Sequence, residues 1–515
     1  MESIPHIEDV NGIPTLFVDG EPFLATAGEL QNSSAASLDY MEKNVWPNLE
    51  GMHVNSLVIP LYWEQIEPEE GKFNFTLVDG ITRQAREHDT KIIGLWFGLW
   101  KNAESMYVPG WMKTDTATYF RARKVNGEPL DSISPLCEAA VEKDMNAYTT
   151  LMEHIAELDR DQTTFIFMQV ENEIGLLGSD RDYSDMANEL FAQGIPTDLA
   201  EKLGVAAGTP WADEFPGHDG ENFMAYHYAK DVERIAAAGM DKHPIPAYTN
   251  SWLYQYPWNP GSYPAGGPST PTHRVWKAMA PSLFTLAPDI YVPTIAKAMN
   301  DYSYEGNPLF VPEVRKDAQT ASYALHAFTK YNAIGYSPFG IEQLALDPDS
   351  IPKPPMSVMI ALNIDPSSFD ITNSKPYLSR VYELIQGMKP LLLEYRGTDR
   401  LHSWVRESET DFGRYLTLKN YDLKVAFSPK AESQPLASGA LFELDDDTLL
   451  MVGMMCSMSF SAKIGENSKV GIVSYQEGTI ADGKFVASRV LNGDEKMSIE
   501  FGPMPEARLL KLYKY

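Results

Sequence analysis

The chain has 515 residues, 44% hydrophobic and 22% charged, with 35 glycines and 36 prolines. That is a globular composition, and it excludes a collagenous or low-complexity chain. The formal net charge of −29 repels phosphate backbones and anionic headgroups, so no nucleic acid and no membrane is expected as a partner, and a neutral substrate fits better.

Cys137 and Cys456 are the only cysteines. They allow no disulfide framework and no zinc spacing. The opening Met1-Glu2-Ser3-Ile4-Pro5 lacks the basic and apolar regions of a signal peptide, so the expected location is cytoplasmic, or secreted or periplasmic if a leader has been removed. No apolar run reaches the about 18 residues of a membrane span.

In chain order, short apolar runs alternate with longer amphipathic stretches, the pattern of a parallel sheet. Strands are expected at 23–27, 56–60, 92–97, 164–170, 246–250, 289–292, 309–312 and 335–339. The clearest helices are expected at 38–49, 77–87, 138–158, 221–238, 318–331 and 377–393. Eight such pairs make an α/β fold, a (β/α)8 TIM barrel over 1–394. Its longest insertions, 101–135 and 174–220, follow strands three and four. After about residue 394 the period shortens, with strands expected at 415–418, 440–444, 449–454, 470–474, 485–490 and 509–513. This reads as a C-terminal β-sandwich over 395–515. The methionine-rich stretch 449–460 reads first as a buried strand pair, with a subunit interface, and hence a homo-oligomer, as the sharper alternative.

Strand four closes in Gln169-Val170-Glu171-Asn172-Glu173-Ile174-Gly175, an apolar run ending in three polar side chains. Carboxylates at a buried strand end are costly unless bonded or functional. Alternation along a strand sends Glu171 and Glu173 to one side and Asn172 to the other, unless the end twists. Strand seven closes in Val311-Pro312-Glu313-Val314-Arg315, where Arg315 could pair with Glu313. In a closed barrel strands four and seven face each other over the mouth, where catalytic groups sit. Two flanking carboxylates are what glycosidic cleavage requires, one protonated and one ionised. A separation of about 5–5.5 Å serves a nucleophile, and about 6.5–9.5 Å serves inversion.

The strand-four segment resembles the Gln-x-Glu-Asn-Glu-Tyr-Gly motif of glycoside hydrolase family 35 β-galactosidases. Gly20-Glu21-Pro22-Phe23 with Gly28-Glu29-Leu30, Trp63-Glu64-Gln65-Ile66-Glu67-Pro68 with Gly71-Lys72-Phe73-Asn74-Phe75, and Leu95-Trp96-Phe97-Gly98 with Pro109-Gly110-Trp111-Met112 are similar to that family's first three strand regions. The resemblance spans about residues 15–345. It implies a retaining, exo-acting β-galactosidase with Glu173 as acid/base, Glu313 as nucleophile and Asn172 on the sugar 2-hydroxyl. Three departures stand out: no histidine follows Glu29, Ile174 replaces tyrosine, and Val314-Arg315 replaces an aromatic. They imply a divergent subgroup with its own C-terminal β-domain.

Aromatic faces and a few amides complete a sugar site. Glu29, Asn32, Trp63, Trp96, Asn102, Asn250, Trp252 and Tyr291 are the expected substrate contacts, with Tyr291 also a candidate partner of Glu313. Glu64 and Glu342 are acidic and near the mouth. Trp100, Trp111, Tyr119, Trp211, Tyr254, Tyr256 and Trp258 are further aromatics of the active face, and Trp111, Tyr119 and Trp211 could wall a closed pocket. The histidines form no HxH or HExxH pattern, and no phosphate-cradling glycine loop occurs, so neither a metal nor a cofactor is expected. The expected partner is a carbohydrate. Another retaining β-glycosidase (a β-glucosidase or an endo-β-glycanase), or a non-catalytic carbohydrate-binding protein, stays open as an alternative.

Overall fold

The computed structural model describes residues 4–255 and 258–515. Met1–Ser3 and Tyr256 lie outside the described residues. Eight parallel strands close a barrel in sequential order: β1 Ala25–Glu29, β2 Ser56–Tyr62, β3 Lys91–Lys101, β4 Phe165–Asn172, β5 Ala247–Trp252, β6 Leu283–Ile290, β7 Phe310–Val314 and β8 Gly335–Pro338. Every residue of β2 and β4 is buried. Helices cover the outer face and side chains fill the interior, which is why these strands are almost unbroken apolar runs. Four long helices are α1 Glu138–Leu158, α2 Asp219–Met240, α3 Thr320–Lys330 and α4 Ser374–Tyr395.

Three differences from the expected elements have physical causes. The helix expected at 38–49 is helical throughout but wound as a π-turn over Met41–Val45. Pro47 in its last turn has no N–H to give to the ladder, and a wider turn accommodates that loss. β6 begins six residues before its expected start, because Pro288 within it argues against a strand. Before β1, the strands His6–Val10, Ile13–Val18 and Glu21–Pro22 form an antiparallel meander that carries Leu16 and Val18 into the barrel core.

Beyond α4 lie two antiparallel sheets. The six-stranded one includes Leu401–Val405, Ser438–Glu443, Thr448–Met454 and Glu506–Lys514, and the four-stranded one includes Tyr421–Phe427 and Cys456–Ala462. Their facing sides enclose Trp404, Leu423, Val425, Leu441, Met451 and Leu510. The outer face of the larger sheet packs on the barrel. Phe442, Leu450 and Val452 join the barrel core, and Ser438 Oγ donates to the Ser322 carbonyl of α3 at 2.9 Å. Thr448–Met454 is therefore buried on both faces, the plainer of the two readings of the methionine-rich stretch.

Candidate active site

The site is built at the carboxyl ends of the strands. Glu171 and Glu173 both have left-handed backbones, φ +64° and +46°, a conformation that costs a non-glycine residue energy and persists where the surroundings enforce it. This turns the two glutamates apart, against the expected alternation. Glu171 Oε2 accepts from the Trp100 N–H at 2.8 Å, in full burial beside Asp144. Glu173 instead lines a cavity of about 220 Å3 together with Glu313, Asn32, Asn102, Trp252 and Tyr291.

Glu313 follows from the register: Asp289 of β6 pairs with it across the ladder. Tyr291 donates its hydroxyl to Glu313 Oε1 at 2.6 Å. Oxygens of Glu173, Asp289 and Glu313 lie within 4.8 Å of one another. Among the described residues this trio is the one cluster of donors close enough to share a cation. Asn250 and Tyr291 already occupy two of its oxygens, and the short spacing equally fits carboxyls that share protons.

The electrostatics are those of too many acids in a dry place. Burial first, then the charge of Glu313, raises Glu173 to about 7, against the pull of Lys101. Glu29 is pushed well up by burial and then by the charge of Glu313. Asp289 is raised well above the usual carboxylate range by burial, then by Glu313, Glu173 and Glu29. Lys101 is the cation of the cavity, and it donates to Asn172 Oδ1 at 3.0 Å. The Oδ1 atoms of Asn32 and Asn102 are buried without partners among the described residues and line the cavity, so they are free to meet ligand hydroxyls; Asn172 Nδ2 is also without a partner, but Asn172 lies outside the lining and bonds Lys101.

The structure moves several expected contacts away from the cavity. Trp63 and Trp96 are fully buried in the barrel wall, with their indole N–H groups satisfied by Glu67 and Asp144 at 2.8 and 2.6 Å. Trp96 lies within β3 and Trp63 opens the helical turn Trp63–Ile66 that follows β2. Asn250 holds the site instead of lining it: its Oδ1 accepts from Glu173 N at 2.8 Å and its Nδ2 donates to Asp289 Oδ2 at 2.6 Å. Glu29 sits against Glu313 and outside the cavity lining. Arg315 pairs with Asp317 and Asp365 and leaves Glu313 alone. Glu64 binds Lys113, and Glu342 accepts from Gln31 N and Ser34 Oγ.

The long insertions give the cavity Lys101 and Asn102, but their aromatics are not its walls. Trp111 packs edge-on against Trp63 and Tyr119, and Trp211 against Phe223. The walls are Leu253 and Gln255 after β5, and Leu362, Asn363, Ile364 and Phe369 after β8. Sequence reasoning missed these, as well as Lys101 and Asp289. Asp289 did have a signal, since the apolar run 283–288 ends on it.

Fold and site together define a class, the (β/α)8 barrel of glycoside hydrolase type with an acidic pair across its mouth. Residues 48–223 match the family model Glyco_hydro_42, described as beta-galactosidase, and residues 378–502 match a domain of unknown function, DUF5597. The matching family is thus 42 and not family 35, a different family of the same clan. No curated protein matches the chain. Among solved structures, the β-galactosidase of Bacillus circulans sp. alkalophilus is 14% identical, over 61% of this chain and 50% of that one, with a TM-score of 0.45. That of the psychrophilic Marinomonas ef1 is 11% identical over 71% and 61%, TM-score 0.47. The cold-adapted enzyme of Rahnella sp. R3 is 11% identical over 96% and 98%, TM-score 0.47. The chain therefore spans half to about three fifths of the first two.

Proposed function

We propose that this protein is a retaining, exo-acting β-glycosidase that removes terminal β-galactosyl residues from a carbohydrate. The observation that carries the reading is the Glu173–Glu313 pair, an oxygen of each within 4.8 Å, both lining one cavity. Nearest oxygens that close favour the about 5–5.5 Å of double displacement over the wider inverting gap. The match of residues 48–223 to a β-galactosidase family model supports the choice of sugar.

Glu313, steadied by the Tyr291 hydroxyl, attacks the anomeric carbon and forms a glycosyl-enzyme. Glu173, protonated because burial and Glu313 raise it to about 7, gives its proton to the leaving oxygen. It then takes a proton from the water that releases the sugar. Asn32, Asn102 and Trp252 supply the polar and apolar faces for one ring. The cavity lies below the about 300–1,000 Å3 of a drug-sized site, a size that suits one terminal sugar. The test is a panel of nitrophenyl glycosides, with the anomer of the first product read by NMR. β-Galactoside turnover with a first-formed β-anomer supports the reading. Preference for a glucoside or for polymer interiors moves it to another retaining glycosidase, and no turnover of any glycoside leaves a carbohydrate-binding protein.

A further inference from the structure

Asp289 has no part in the double displacement just described, yet it is the third member of the trio. It closes β6, pairs in register with Glu313 on one side and with Trp252 on the other, and is buried. Its Oδ2 accepts from Asn250 Nδ2 at 2.6 Å. The same Asn250 accepts the backbone N–H of Glu173 at 2.8 Å, so one amide ties both acids into one frame. Asp289 Oδ1 is buried and faces no donor among the described residues. What it does have beside it is the Glu173 carboxyl, an oxygen of each lying within 4.8 Å. Two carboxyls can hydrogen-bond only when one of them carries a proton. An O–H on Asp289 gives the orphan oxygen its bond, and it spares the site a further buried charge.

We propose that Asp289 is a positioning residue that stays protonated through the reaction cycle and donates its proton, as a hydrogen bond, to the Glu173 carboxylate once Glu173 has given up its own. No proton leaves Asp289 at any step. The proton that reaches the leaving oxygen comes from Glu173, and the one that restores Glu173 comes from water. The neutral donor stabilises the ionised acid/base, and so keeps Glu173 from binding its proton too tightly to release it. The directions agree: Glu173 raises Asp289, and Asp289 lowers Glu173. The other groups facing the pair are Glu29 on β1, Lys101 on β3, Tyr248 on β5, Tyr291 after β6, Glu313 on β7 and Tyr302 before it. One cation among these acids favours a neutral Asp289.

The inference rests on the acid/base reading of Glu173, and the experiment separates the two. The alkaline limb of kcat/KM is measured for the wild type, Asp289→Asn, Asp289→Ala and Glu173→Ala. An asparagine keeps both bonds, accepting from Asn250 and donating to Glu173, so its limb stays at the wild-type pH whatever its kcat. Alanine removes the donor, and its limb moves up by about one pH unit. An ionised Asp289 predicts the opposite, a downward move in both variants, and a merely structural residue predicts no move in either. Both results overturn the proposal. Persistence of the limb in Glu173→Ala means that the acid/base reading has failed instead. In that event the wild-type-minus-Asp289→Asn infrared difference spectrum at neutral pH still decides. A protonated-carboxyl C=O band upholds a neutral Asp289, and carboxylate bands alone refute it.

Discussion

Removing the Glu313 carboxylate by Glu313→Ala leaves no atom to form the glycosyl-enzyme, so turnover should vanish. Azide, small enough for the vacated space, should then return some activity and give a glycosyl azide of inverted configuration. Full activity in the variant would sink the nucleophile assignment. Glu173→Ala should act selectively: substrates with poor leaving groups slow far more than dinitrophenyl glycosides, which need little protonation, and azide here should give a product of retained configuration. Equal slowing across leaving groups would remove Glu173 as the acid. Glu171 could not take its place, since it is turned into the wall against Trp100 and Asp144. Tyr291→Phe takes one hydrogen bond from the nucleophile at 2.6 Å. A bond to a charged group is worth about 1.5–3 kcal/mol, so kcat/KM should fall roughly 10- to 100-fold. The two glutamates were legible in the sequence because each ends an apolar strand abruptly. Asp289 was hidden by a misplaced strand start, and Asn250 was seen but given the wrong task, since a side chain that bonds a backbone N–H on the next strand leaves no periodic trace.

The segment that bends Glu171 and Glu173 apart depends on space made by a glycine. A Cβ on Gly98 in β3 would lie 2.3 Å from Trp96 Nε1, 2.5 Å from Glu171 Oε1 and 2.8 Å from Asp144 Oδ2. All three belong to buried side chains, and Trp96 Nε1, Asp144 Oδ2 and the other Glu171 oxygen are held by hydrogen bonds, so none can yield freely. Gly98→Ala should therefore lower stability by about 1–3 kcal/mol or more and depress kcat by shifting the Glu173 backbone. Thermal unfolding and kinetics on the same preparation check this; an unchanged midpoint would mean that the pair tolerates displacement. The elements themselves were largely readable. Glu138–Leu158 coincides with its expected span, and β2, β4 and β5 lie within two residues of theirs. Periodicity reports which face is buried, and in a barrel that is nearly the whole answer. It does not report handed backbone turns, which is why the Glu171/Glu173 twist was missed. Nor does it show which loop folds over the mouth: the insertions with the most aromatics, 101–135 and 174–220, spend them on packing one another, while the plainer stretch after β8 delivers Leu362, Ile364 and Phe369 to the cavity.

For the whole molecule, the buried acids set a pH dependence of stability. Unfolded carboxyls titrate near about 4, whereas Glu173 titrates at about 7 in the fold, and Glu29, Glu171, Asp231 and Asp289 are raised as well. The folded state thus binds more protons between these limits. Its stabilisation is complete below about pH 4 and is lost as pH rises through the folded values. From 4.5 to about 7, Glu173 alone accounts for about 3 kcal/mol. Acids lowered by arginine or lysine, such as Asp365 and Asp198, act in the opposite sense but below that window. Buried His227, His273 and His326, lowered by burial to about 4, 4 and 3, also act in the opposite sense, up to an unfolded value of about 6.5. The melting temperature should therefore fall between pH 7 and pH 8, and a rise would show that these carboxyls are ionised in the fold. Shape makes the last prediction. The cavity is lined by Leu253 and Gln255, and by Leu362, Asn363, Ile364 and Phe369, segments from different barrel loops that are joined where Gln255 Nε2 donates to the Leu362 carbonyl at 2.9 Å. On the proposed exo-acting reading, these joined segments admit a terminal ring and obstruct a chain interior. On a β-galactose-bearing oligosaccharide or polymer, monosaccharide should be the first and sole small product. Early internal fragments with falling viscosity would mean that the β8 segment moves aside, and the enzyme would then be endo-acting.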